Sequence, residues 1–91
     1  MKDFMREELA RGPLTKENAM PALAAWGGRC EMGGINGAQI GQLMLAAAVG
    51  HVVSISKDHD ECAAVWNALM QDTVRLLRTQ MATKFESEGT A

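Results

Sequence analysis

The chain has 91 residues, 47% of them hydrophobic and 22% charged, with a net charge of −2 from nine basic and eleven acidic side chains. That length fits one domain, 1–91, and the composition excludes a disordered polar tail. The basic residues are scattered and the balance is slightly acidic, so the charge makes nucleic acid an unlikely principal partner, because phosphate recognition needs clustered Lys and Arg. The apolar side leans on Ala and seven Met, with only Phe4, Trp26, Trp66 and Phe85 as aromatics and no Tyr. Small and adaptable side chains suit helix-on-helix packing better than a β-sandwich.

The first segment, Lys2 to Arg11, places Phe4, Met5 and Leu9 on one side and Asp3, Glu7, Glu8, Arg6 and Arg11 on the other. It reads as a short amphipathic helix ended by Gly12-Pro13. Being charged throughout, it lacks the apolar core of a secretory signal, so a cytoplasmic location with Cys30 and Cys62 reduced is expected, a disulfide being the minority reading. Thr15 looks like the cap of a second helix, but Pro21 then sits too deep for the first turn. The helix either begins nearer Asn18 or kinks, and Gly27-Gly28 is expected to end it, leaving Gly27 to Gly37 as a loop.

No charge occurs from Met32 to Ser56, and all ten charges of the C-terminal half lie beyond it. Surface helices interrupt their apolar residues with charged ones, so this tract is expected to be the buried centre of the fold. Asn36 and Gln39 form a capping box for a third helix over Gly37 to Val53, apolar on nearly all sides. A bilayer span over Ala38 to Ser56 has the right length but carries Gln39, Gln42, His51, Ser54 and Ser56 and lacks aromatic belts, so no membrane association is expected. Gly37 and Gly41 read as a close helix crossing, and His51 as a hydrogen-bonded core or interface residue.

Asp58, with Glu61 three residues later, caps a fourth helix whose apolar positions recur from Cys62 to Phe85, over about 25 residues. A helix that long outruns a small domain, and its projecting stripe asks for a companion chain. Glu86 to Ala91 reads as a frayed tail. No strict heptad is sustained, which argues against a long coiled coil.

The expected fold is therefore all-α: a small bundle of three to four helices with a central buried helix and a long amphipathic C-terminal helix. The expected function is non-enzymatic: a homodimeric regulator or adaptor acting through protein–protein binding, with contacts through Trp66, Leu69, Met70, Leu77, Met81 and Phe85. An accessory inhibitor of a host protein, of the kind phages and plasmids carry, is another form of the same role. Two rivals belong to other classes. A DNA-binding regulator would use Arg75, Arg78 and Lys84, although cations near a helix C-terminus also complement its dipole. A metal- or thiol-dependent enzyme would centre on His59 and Cys62, one helical turn apart, with Cys30 or His51 recruited. No CxxC or HxxxH spacing supports the latter, and the Gly33-Gly34-Ile35-Asn36-Gly37 turn lacks the Lys-Ser/Thr pair of a phosphate loop. No cofactor is expected.

Overall fold

The computed structural model describes residues 2–86. Among them it contains four α-helices and no strand: α1 (Lys2–Ala10), α2 (Lys16–Met32), α3 (Gly37–Ile55) and α4 (His59–Met81), the last followed by a π-helical turn over Ala82–Glu86. The all-α architecture is as the periodicity predicts. Of the expected frayed tail, Glu86 belongs to the π turn, and residues 87–91 lie outside the described residues. The chain divides into two compact units, Met1–Leu43 and Met44–Ala91, with the boundary inside α3.

In the first unit, α1 ends where Gly12 adopts a φ of +93°, a conformation glycine reaches without a Cβ penalty. Thr15 is extended and caps α2, its hydroxyl accepting the Asn18 N–H at 3.3 Å. The helix thus starts early and carries Pro21 inside it. Proline has no N–H, so the Glu17 carbonyl one turn before loses its intrahelical donor.

The expected stop at Gly27-Gly28 is not where α2 ends, and the expected ten-residue loop shrinks to Gly33–Asn36. The helix runs on to a Schellman motif: Ile35 N–H donates to the Cys30 carbonyl at 3.0 Å, Gly34 N–H donates to that of Glu31 at 2.9 Å, and Gly34 has φ +90°. A left-handed residue is needed at one position only, and Gly34 supplies it. Glycines at 27 and 28 weaken a helix by about 1 kcal/mol each but do not force it to stop.

Arg29 ties the end of α2 to α1. Its Nη1 lies 3.3 Å from Glu8 Oε1, and its guanidinium carbon sits 6.0 Å from the centroid of the Phe4 ring. Arg11 approaches the same Glu8 oxygen at 3.5 Å. These contacts are solvent-exposed and contribute at most about 1 kcal/mol each.

The capping box of α3 forms as the spacing predicts: Gln39 N–H donates to Asn36 Oδ1 at 2.9 Å, and Asn36 N–H donates to Gln39 Oε1 at 3.2 Å. α4 is capped by Asp58, whose carboxylate accepts the Glu61 N–H at 2.8 Å. Its first turn carries Asp60 and Glu61, which the positive end of the helix dipole favours.

The expected buried centre is corrected. Within α3 only Ile40, at 7% exposure, and Val52, at 4%, are buried, and they are the only buried hydrophobic residues described. Leu43, Leu45, Val49, Val53 and Ile55 stand exposed. The least exposed residues of α3, Ile40, Met44 and Val52, fall on one i, i+4 ridge, which is interrupted by exposed Ala48. An absence of charge records a surface that disfavours water. It does not record that the same chain covers it.

Candidate functional site

With so little of the apolar surface covered by the chain, the candidate site is the surface left over, and α4 organises it most sharply. At 100° per residue, Met70, Val74, Leu77 and Met81 fall within about 60° of one another. Val74, Leu77 and Met81 are 46%, 55% and 48% exposed, while Met70 and Trp66 are half-buried. The π turn brings Phe85, four residues past Met81, round to the same side, where the Lys84 ammonium lies 5.3 Å from its ring centroid.

The last turns are also laced by hydroxyls that donate back to the carbonyl one turn earlier. Thr73 donates to Leu69 at 2.7 Å, Thr79 to Arg75 at 3.1 Å, and Thr83 to Thr79 at 3.0 Å. Bonds of this kind keep threonine hydroxyls satisfied beside an apolar stripe.

Of the six residues expected to make contact, Trp66, Met70, Leu77, Met81 and Phe85 share this side of the helix. Leu69 does not: it lies about 100° from Met70, towards Leu76. Val74, not among the six expected contact residues, completes the stripe. Its spacing of four from Met70 and three from Leu77 is the signal that identifies it.

The charged and nucleophilic candidates are less concentrated. Arg75 and Arg78 are one turn apart, and Arg75 Nη1 is engaged with Asp72 Oδ1 at 3.6 Å. Lys84 projects from the opposite flank of the stripe, so the three cations do not form one basic face. His59 and Cys62 border a shallow open hollow together with Val53, Ser56, Lys57 and Asp58. The Asp58 carboxylate there is occupied by the Glu61 N–H. Among the described residues, no three His, Cys, Asp or Glu side chains gather where they could hold a metal ion.

Cys30 and Cys62 are both free thiols, each half-buried. Cys30 borders a small apolar hollow with Phe4, Trp26 and Ile35, so it serves packing in the first unit. His51 is exposed, not a core residue as its neighbours predict. Its carbonyl accepts the Ser54 hydroxyl at 2.7 Å. The spacing of Gly37 and Gly41 marks no crossing among the described residues, since a Cβ at either would meet nothing within 4 Å.

α3 is also long and apolar enough, by length and composition, to cross a membrane. No protein-family model, curated protein or solved structure matches the chain.

Proposed function

We propose that this chain is a small, non-enzymatic, cytoplasmic helical protein that acts by binding protein, beginning with a second copy of itself. The observation that carries the reading is the stripe of Val74, Leu77 and Met81 on α4, continued by Phe85 in the π turn, each about half exposed among the described residues. Among the described residues two hydrophobic side chains are buried, Ile40 in the first unit and Val52 in the second. Units of that size with so small a core need added covering to offset chain entropy, and a companion chain supplies it. Such a protein would serve as a regulator or adaptor, its activity being occupancy of another surface. Sedimentation velocity from low to high micromolar concentration tests this. A species of twice the chain mass that dissociates on dilution is expected, and a monomer at every concentration would refute it.

A second reading rests on α3, which could span a bilayer with its exposed Leu43, Leu45, Val49, Val53 and Ile55 in lipid. Flotation with phosphatidylcholine vesicles distinguishes the two. Protein that stays with the vesicles after an alkaline wash favours the span, and protein that remains in the soluble fraction as a dimer favours the first reading.

A further inference from the structure

We infer that α1 is a releasable strap, latched through the single side chain of Arg29 over the Trp26 and Cys30 side of α2, and that its release uncovers that side. The inference is separate from the self-association reading, since every residue in it lies within the first compact unit. At 100° per residue, Phe4, Glu8 and Arg11 lie within about 60° of one another on α1. That edge meets α2: Arg29 reaches Glu8 Oε1 at 3.3 Å and the centroid of the Phe4 ring at 6.0 Å. On α2, Ala22, Ala25, Trp26, Arg29 and Cys30 share one side and border two hollows beside α1, one lined also by Phe4 and the other by Glu8, Leu9 and Arg11. The short helix is therefore docked by its charged edge and not by its apolar one. Met5 and Leu9, turned about 90° and about 130° from the middle of the contact, stand 62% and 77% exposed.

Both closing and opening follow from the sizes of these contacts. The Glu8–Arg29 pair and the contact of Arg29 with Phe4 lie in solvent, so together they favour the closed position about 5- to 30-fold, and less as salt screens the pair. No described residue of α1 is buried, and a helix of nine residues is marginal in water by itself, so α1 released from α2 unwinds. Gly12, at φ +93°, and Pro13 separate it from α2, so release leaves the Thr15 cap in place. Arg11 approaches the same Glu8 oxygen at 3.5 Å and moves with α1, which gives that carboxylate a partner in the open position and lowers the cost of release.

The test is a charge swap across the latch, read by hydrogen exchange of the α1 amides in the full chain at low salt. Glu8→Arg should speed their exchange about fivefold, the weight of one exposed pair. Arginine near the end of α1 suits helix propensity and dipole at least as well as glutamate, so faster exchange reports the lost latch and not a weaker helix. Adding Arg29→Glu should restore most of the protection, although a carboxylate near the end of α2 is disfavoured by its dipole, so recovery reports the pair itself. Acrylamide quenching of Trp26 in a Trp66→Phe chain reads the uncovered side independently. It should rise with Glu8→Arg, fall back with the swap, and rise in the otherwise unaltered chain on adding salt. Exchange and quenching unmoved by Glu8→Arg, or a loss of protection that Arg29→Glu does not restore, would overturn the strap.

Discussion

Leu77→Asp is the most informative single substitution, because its effect on assembly and its effect on the single chain separate cleanly. Leu77 is 55% exposed in the chain alone. Full burial of a leucine side chain is worth about 1.5–3 kcal/mol, so covering the remaining half contributes about 0.8–1.6 kcal/mol per copy and about 2–3 kcal/mol per dimer. At 1.4 kcal/mol per decade, the dimer dissociation constant should rise roughly 30- to 100-fold, and further if the new carboxylate is buried. The single chain should lose only the propensity difference between Leu and Asp, about 0.5 kcal/mol within α4. Leu76→Asp is the control. Leu76 is 59% exposed, on the same helix, but turned about 100° away from the stripe. Light scattering across a concentration series, paired with circular dichroism, reads both. A Leu77→Asp chain that stays helical with its mass unchanged would refute the role of α4, and equal effects from Leu76 and Leu77 would refute the stripe.

Other consequences follow from local geometry. Gly34→Ala should lower the melting temperature by the equivalent of about 1 kcal/mol, because φ is +90° there, whereas Gly28→Ala, in a helix interior with nothing within 4 Å, should raise it by about 0.5–1 kcal/mol. Opposite signs in thermal melts would confirm that the left-handed residue closing α2 is Gly34. Asp58→Ala should cost about 1 kcal/mol through loss of the bond to the Glu61 N–H, and Asp58→Asn should cost much less, by chemical denaturation. Glu8→Gln should destabilise by no more than about 1 kcal/mol, with the difference shrinking at high salt, since both Arg11 and Arg29 meet it in solvent.

The local grammar of the chain was readable because short-range chemistry settles it. Asn36 and Gln39, and Asp58 and Glu61, form the caps their spacing predicts, and of the two starts open for α2 the structure takes the one capped by Thr15, each cap completed within four residues. The end of α2 is not legible in the sequence because Gly27-Gly28, Gly33-Gly34 and Gly37 compete for one left-handed position, and the decision falls on Gly34, where Ile35 can also join the Phe4, Trp26 and Cys30 cluster. Composition cannot rank those glycines; the downstream apolar residue does. The exposure of α3 is hidden in the sequence for a different reason. Hydropathy reports the preference of a surface, and the identity of its cover is a fact about other atoms. In α4 the stripe was visible in the spacing, but Leu69 and Val74 exchange roles once each residue is placed at its angle.

The polar residues of α3 bear on what covers it. Ser54 and Ser56 donate to the carbonyls of His51 and Val52, at 2.7 and 2.6 Å, and Gln39 Oε1 is engaged at the helix mouth. Gln42 and His51 make no side-chain hydrogen bond among the described residues. Nine residues separate them, so they lie on opposite sides of the helix. In a bilayer, one neighbour helix could satisfy at most one of them, and the other would face lipid at a cost of several kcal/mol. Against protein, each can reach a partner or the solvent-facing rim of an interface. Gln42→Leu with His51→Leu sharpens the choice: it should deepen vesicle retention if α3 belongs in lipid, and should leave the protein in the soluble fraction if its cover is protein. Retention of the double variant on vesicles, where the wild type floats free, would locate the obstacle to insertion in those two side chains. Retention of both would refute protein as the cover.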